Sequence, residues 1–183
     1  MSITAGAYKL GPDTATLSVR TKKAGAAAVA AHNLLIEVTI WNATLELAED
    51  PARTKIELTA DSGSLKVLEG SGGAMTLDDD HKVGIKQTID EEILKRTPIA
   101  FHSTAVEPSP DGGRYEVTGE LELAGTRGPV SFELTVDPHG TLTGSAVVKQ
   151  TRWGIKPYSA LFGTLKVIDE VTVEIAAKVP PTS

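Results

Sequence analysis

The chain has 183 residues, of which 40% are hydrophobic and 23% are charged, as expected for one soluble globular domain. Its formal net charge is -6, which argues against nucleic-acid binding and against electrostatic attachment to anionic lipid, because both need clustered Lys and Arg. It contains no cysteine, so disulfides and thiolate metal sites are excluded.

The N-terminal residues, MSITAGAYKLGP, do not have the features of a secretory signal. They lack a basic start and a continuous apolar run of the needed length. No later segment approaches the ~20 apolar residues of a membrane span. The sequence therefore predicts a cytoplasmic protein that does not span a membrane.

A long strand is predicted over residues 34–47, and its apolar pattern changes phase along the way. The apolar residues first occupy even positions and then odd ones: Ile36, Val38, Ile40, Ala43, Leu45 and Leu47. One extra residue near Trp41 and Asn42 would keep both halves facing inward, as a β-bulge does. The alternative is that two separate strands meet at a bend there.

The segment from Thr76 to Arg96 breaks the period of two and predicts a helix. Its isoleucines recur every four residues and form one helical stripe: Ile85, Ile89 and Ile93. Thr76 and Asp79 have the spacing of a capping box, and the neighbouring aspartates suit the positive start of a helix. Gly84 weakens the middle by about 1 kcal/mol relative to alanine, which could divide the helix in two.

Period-two alternation dominates the rest of the chain and predicts short antiparallel strands with one polar face. The apolar positions of these strands are Ile56, Leu58, Ala60, Tyr115, Val117, Leu121, Leu123, Val130, Phe132, Leu134, Val136, Leu142, Ala146, Val148, Val171, Val173 and Ile175. Turn residues separate the runs, as in the segment Pro110–Gly113. Many short amphipathic strands joined by tight turns indicate a sandwich or a barrel.

Several stretches of the chain follow the pattern of one known family. The middle of the chain carries a strand motif and a following hairpin motif, formed by Phe101, Ser103, Thr104, Val117, Gly119, Leu121, Leu123, Gly125, Thr126, Pro129 and Val130. The C-terminal part adds Gly154, Gly163, Leu165, Val167, Asp169, Glu170 and Val171. One branch of this family has two histidines near the N-terminus, separated by one residue. Here the first is present as His32, and Leu34 stands in place of the second. These segments resemble the YceI-like family, which comprises lipocalin-like proteins associated with polyisoprenoid binding.

The resemblance implies a single YceI-like domain over residues 6–178. Its expected fold is all-β: a lipocalin-like antiparallel eight-stranded β-barrel with a short helical insertion. Its expected function is to enclose an isoprenoid or another elongated lipid in the barrel interior. The alternative is a non-catalytic, stress-related or interaction domain with a packed core and no ligand. Analogy with such barrels also suggests a homodimer.

Strand parity and the resemblance together predict the residues of the ligand-binding wall. These are Ile36, Val38, Ile40, Phe101, Leu121, Phe132, Trp153 and Phe162. The Trp153 loop is expected to form the rim, because Gly154, Pro157 and Gly163 indicate an irregular segment. A Trp153→Ala change would then cost binding more than stability.

The sequence offers no constellation for catalysis, metal binding or a cofactor. Its four histidines are separated: His32, His81, His102 and His139. A metal site would need three or four convergent ligands, and no close spacing supplies them. No Gly-x-Ser-x-Gly turn and no phosphate-binding glycine loop occurs. The sequence therefore predicts a protein that is not an enzyme, and it favours a hydrogen bond at the start of the long strand over a ligand role for His32.

Overall fold

The computed structural model describes residues 5–110 and 112–179, and most of these residues lie in β-strands. The strands are β1 (Gly6–Leu10), β2 (Ala15–Arg20), β3 (Lys23–Ala24), β4 (Asn33–Val38), β5 (Trp41–Leu47), β6 (Lys55–Ala60), β7 (Leu65–Ser71), β8 (Ile99–Pro108), β9 (Arg114–Leu123), β10 (Thr126–Val136), β11 (Thr141–Lys149), β12 (Ser159–Ala160), β13 (Leu165–Val167) and β14 (Glu170–Lys178). An α-helix, α1 (Asp79–Thr88), continues into a π-helical turn, Ile89–Ile93. Short 3-10 turns lie at Ala28–Ala30, Pro51–Arg53, Ser62–Ser64, Gln150–Trp153 and Leu161–Gly163.

The main sheet closes on itself as an up-and-down barrel. Three long strands are each interrupted once, so that each consists of two short strands: β1 with β2, β4 with β5, and β6 with β7. The β1–β2 strand pairs antiparallel with the β4–β5 strand, which pairs in turn with the β6–β7 strand. The ring continues through β8, β9, β10, β11 and β14, and β14 pairs with β2. Counting each interrupted strand once gives eight antiparallel strands. The structure therefore confirms the predicted lipocalin-like eight-stranded barrel with a helical insertion.

The long strand bends between β4 and β5, slightly earlier than the sequence predicts. The backbone N–H of Thr39 donates to the Ser64 carbonyl at 3.1 Å, and that of Asp61 donates to the Ile40 carbonyl at 3.0 Å. These bonds maintain the pairing across the bend, where the turn Ser62–Ser64 lies opposite. Inward alternation resumes at Trp41, so the predicted inward position of Ile40 is wrong and its side chain is 62% exposed.

The barrel is packed with side chains at one end. Val117 is fully buried, and Val106, Leu134 and Leu142 lie with it in the core. A gap of only about 10 Å³ remains between Tyr115 and its apolar neighbours at this end. The predicted alternation of β9, β10 and β11 is confirmed, because their apolar residues face this core or the space above it.

Side-chain hydrogen bonds cap the start of the helical insertion and attach its end to the barrel. Asp78, rather than Thr76, caps the start of α1, and its carboxylate accepts the backbone N–H of His81 at 2.8 Å. Gly84 does not divide the helix, which continues through it into the π-helical turn. In that turn Asp90 accepts the Ser62 hydroxyl at 2.8 Å, which attaches the helix to the bend of the barrel wall.

A change to alanine should have opposite effects on stability at two glycines, Gly119 and Gly84. A Cβ on Gly119 would lie 2.3 Å from the His102 carbonyl oxygen and 2.5 Å from the Phe101 ring, whereas a Cβ on Gly84 would meet nothing within 4 Å. Gly119→Ala should therefore lower the free energy of unfolding by about 1–3 kcal/mol through overpacking. Gly84→Ala should raise it by about 1 kcal/mol, because alanine favours a helix interior.

Urea unfolding of both variants beside the unchanged protein measures these effects. Equal effects of the two substitutions, or stabilisation by Gly119→Ala, would contradict the close approach of β8 and β9.

Candidate ligand-binding site

An apolar cavity occupies the end of the barrel opposite the packed core. Its volume is about 870 Å³, within the range of about 300–1,000 Å³ that is usual for ligand sites. Its wall is formed by inward side chains of the main sheet, including Phe101 and Phe132, and Leu134 and Leu142 border both this cavity and the small gap at the packed end. The centres of these two rings lie 5.4 Å apart at an angle of 60°. The interior is therefore filled at one end and hollow at the other.

Five of the predicted wall residues lie together in the cavity wall. They are Ile36, Val38, Phe101, Leu121 and Phe132. They come from β4, β8, β9 and β10, and they meet because inward positions of neighbouring strands face the same interior. Their placement agrees with the predicted parity, while their role in binding stays a prediction.

The other three predicted residues do not line the cavity. Ile40 lies outside it because the strand changes phase one residue earlier than expected. Phe162 is fully exposed, because Leu161 and Phe162 have positive φ angles of 51° and 54° in a turn that carries the ring into solvent.

Trp153 is a buried structural residue rather than a member of a mobile rim. Its side chain is only 2% exposed. Its indole Nε1 donates to the Leu121 carbonyl oxygen at 2.9 Å. A Cβ on Gly128 would lie 3.4 Å from the indole ring, so the ring lies against the β10 backbone. Because Trp153 is buried and hydrogen-bonded, the position does not support the expectation that Trp153→Ala would cost binding more than stability.

The mouth of the cavity contains elements that the sequence analysis did not assign to the wall. The inward face of α1 contributes Ile85, and the π-helical turn contributes Ile89 and Ile93. A small sheet of β12, β13 and β3 adds Leu165 and Val167 from the other side. The isoleucine stripe indicated the helix, but the sequence did not show that these isoleucines face the cavity. The very short strands β12 and β3 gave no periodic signal.

The N-terminal strands and β7 were also missed. Leu17 and Val19 of β2, with Leu65 of β7, face the cavity. Their period-two alternation could have identified both strands.

His32 joins the start of the long strand to the loop before α1. Its Nε2 lies 2.5 Å from the Met75 carbonyl oxygen, which is a hydrogen bond when that nitrogen carries the proton. A Cβ on Gly73 would collide with the imidazole ring at 2.1 Å, so only glycine allows this loop to pack here. The favoured structural role of His32 is therefore present, although the ring also borders the cavity.

Polar groups are concentrated near the mouth. His32, Asp80, His81 and Tyr158 border the cavity together with the mouth elements. At the helix start, the backbone N–H of His81 holds the pKa of Asp78 below its ordinary value. Gln150 is buried in the wall, where its side-chain amide donates to the Ile168 carbonyl at 3.1 Å. Most of the remaining wall is aliphatic or phenylalanine, and these side chains offer an apolar ligand contact without hydrogen bonds.

Residues 5–110 and 112–179 bear on a possible metal site only through their side chains and on possible membrane spans only through their helices. In this part of the chain, no group of three or more His, Cys, Asp or Glu side chains is arranged to hold a metal ion. No helix there is both long and apolar enough to cross a bilayer.

The closed sheet and the enclosed apolar space define a lipocalin-like barrel of the ligand-binding type. The sequence profile of the YceI-like domain matches residues 8–179. The chain therefore belongs to the YceI-like family.

Solved structures share this fold at low sequence identity. BcnA of Burkholderia cenocepacia is similar with a TM-score of 0.64 and 20% identity, over 88% of this chain and 94% of that chain. The YCEI protein of Campylobacter jejuni has a TM-score of 0.53 and 12% identity, over 79% of this chain and 84% of that chain. A mutant of that protein with a monobromobimane guest matches at the same TM-score, 0.53, with 12% identity and the same 79% and 84% coverage. No curated protein is similar enough in sequence to count as a relative.

The two tryptophans give a matched test of the Trp153 hydrogen bond. Both rings are buried, but Trp41 Nε1 has no hydrogen-bond partner among the described residues. Trp153→Phe should lower the free energy of unfolding by about 1 kcal/mol more than Trp41→Phe, because it leaves the Leu121 carbonyl unpaired. Trp153→Ala should cost about 3–5 kcal/mol through the cavity that it creates.

Chemical denaturation of the three variants measures these differences. An equal cost for both Trp→Phe changes would show that the Trp153 hydrogen bond does not stabilise the fold.

Proposed function

We propose that this barrel binds an elongated apolar ligand, such as a polyisoprenoid, inside the cavity. The observation that carries the proposal is the apolar space of about 870 Å³ above a packed floor. An apolar space of this size exposes hydrophobic wall surface that a ligand would cover. Each methylene group moved from water into such a space contributes about 0.8 kcal/mol, so binding needs no specific chemistry along the chain.

The distribution of side chains favours a hydrocarbon with one polar end. The deep wall consists of residues such as Val38, Leu58 and Phe132, which form no hydrogen bonds with a ligand. Groups such as His32 and Tyr158 are found at the mouth, where a hydroxyl or phosphate end would remain near water. Branched aliphatic walls suit a chain that carries methyl branches. This arrangement supports an isoprenoid or a similar lipid as the ligand class.

The alternative is a stress-related or interaction domain that holds no ligand. The hollow end of the barrel favours binding over this reading, because a domain without a ligand would gain stability by filling that space. A non-catalytic role, a cytoplasmic location and a homodimer stay predictions of the sequence.

Native mass spectrometry of protein purified from its own host, followed by lipid extraction, is the direct test. We expect a co-purified apolar lipid, or uptake of geranylgeraniol when it is added from ethanol. Absence of both, with a melting temperature that geranylgeraniol does not change, would favour the reading without a ligand.

Two adjacent residues of β11 provide a variant and its control. Ala146 faces the cavity, whereas Val147 is exposed on the outer surface of the same strand. Ala146→Trp should occupy the space that the ligand needs and reduce geranylgeraniol binding at least about tenfold, because it displaces several methylene contacts. Val147→Trp adds the same side chain outside the barrel and should leave binding unchanged.

Native mass spectrometry and thermal shift measure binding in both variants. Equal binding by both variants would place the ligand outside the cavity.

A further inference from the structure

Exposed apolar side chains border one side of the cavity mouth. Val29 is 72% exposed, Leu161 is 60% exposed and Phe162 is fully exposed. Their chain neighbours Ala30 and Ala160 line the cavity. We call this surface the basic lip. It consists of Val29, Leu161 and Phe162 together with the nearby Lys22, Lys156 and Lys166.

Backbone contacts hold the two segments of the basic lip together. The N–H of Ala27 donates to the Thr164 carbonyl at 2.9 Å. Gly25 has a φ of +99°, and a Cβ there would lie 2.2 Å from the Thr164 carbonyl oxygen. The turn that carries Val29 and the turn that carries Phe162 therefore form one surface beside the mouth.

The backbone at Leu161 and Phe162 is strained, although neither side chain is buried by the turn. Two consecutive non-glycine residues adopt the left-handed region, with φ angles of 51° and 54°. Such conformations are unfavourable for residues with a Cβ, and they persist mainly where function requires them. Here the strained turn places two large apolar side chains in water, which itself is unfavourable. Contact with an external apolar phase would account for both features.

The basic lip has the opposite charge to the protein as a whole. The chain carries a net charge of -6, yet residues 14–36 and 150–168 contain no Asp or Glu. Three of their basic residues, Lys22, Lys156 and Lys166, are exposed. The Cε atom of Lys166 lies 3.4 Å from the position of a Cβ on Gly163, directly beside Phe162. The acidic start of α1 also borders the mouth through Asp80, so the positive charge of the basic lip comes from the two segments that carry Lys22, Lys156 and Lys166.

We infer that the basic lip docks the barrel on an anionic lipid bilayer, with Leu161 and Phe162 inserted among the headgroups. Lysines attract the negative surface, and an apolar tip enters the interface between headgroups and acyl chains. The docked mouth faces the membrane, so an apolar ligand passes between bilayer and cavity without crossing water. The inference rests on the proposed binding function for its purpose, but docking itself is measured without any ligand.

Co-sedimentation with vesicles tests the apolar part of the basic lip. Vesicles of phosphatidylcholine and phosphatidylglycerol in equal parts should bind the protein at low salt, and phosphatidylcholine alone should bind it less. Phe162→Ser should weaken binding at least about tenfold, because a buried aromatic side chain is lost from the interface. Val147→Ser removes an exposed apolar side chain from the barrel wall and should leave binding unchanged.

Charge variants test the basic part separately. The double change Lys156→Gln and Lys166→Gln should weaken binding about fivefold for each lysine removed. The same changes at Lys55 and Lys178, which are exposed on the packed half of the barrel, should have little effect. High salt should reduce binding of the unchanged protein in the same way, because it screens the lysines.

Three controls separate docking from folding and from ligand uptake. Phe162→Gly should lose docking without a lower melting temperature, because glycine adopts the positive φ at no steric cost. The basic-lip variants should still take up geranylgeraniol from ethanol, and Ala146→Trp should still dock. Docking by a protein that takes up no ligand would support this inference while refuting the proposed function.

The inference is overturned by any of three results. These are no sedimentation with anionic vesicles, equal effects of Phe162→Ser and Val147→Ser, or a concentration-dependent dimer that Phe162→Ser dissolves in place of vesicle binding.

Discussion

Closure of the sheet into a ring is the constraint on which the other features of this protein depend. Each of the eight long strands pairs with two neighbours, and the last contact, between β14 and β2, closes the ring. In the main sheet every strand except β1 and β7 is hydrogen-bonded to a neighbour on both sides, so the backbone polar groups are largely paired within the wall and the inward face can be mostly apolar. The fold therefore keeps its shape even though one half of the interior is hollow.

The bend of the long strand sets its phase and holds the helical insertion. The β4–β5 segment changes phase at Thr39 and Ile40, and the opposite segment turns at Ser62–Ser64. Both halves of the strand keep their apolar residues inward as a result. The hydrogen bond between Ser62 and Asp90 attaches the helical insertion at this same bend. The wall that closes the barrel thus also positions the isoleucine face of the helix over the cavity.

Overall charge is a poor guide to the surface around the cavity. Basic residues without acidic neighbours in the sequence come together beside the mouth, because the segments at residues 22–31 and 156–168 pack against each other. The same packing brings Val29 close to the turn that carries Phe162. Under the two proposals, the ligand would enter and the bilayer would be contacted at the same end of the barrel, while the packed end stabilises the fold.

The sequence by itself determined the fold class and much of the cavity wall. Alternation along β9, β10 and β11 assigned residues such as Leu121 and Phe132 to the interior, because side-chain direction in a strand is a local property. The isoleucine stripe predicted α1 for the same reason. Only the tertiary structure decided that the interior is hollow at one end, since filled and hollow barrels need the same inward residues. It also decided that Ile40 and Phe162 lie outside and that Trp153 is pinned by Leu121, because these outcomes depend on contacts between segments far apart in the chain.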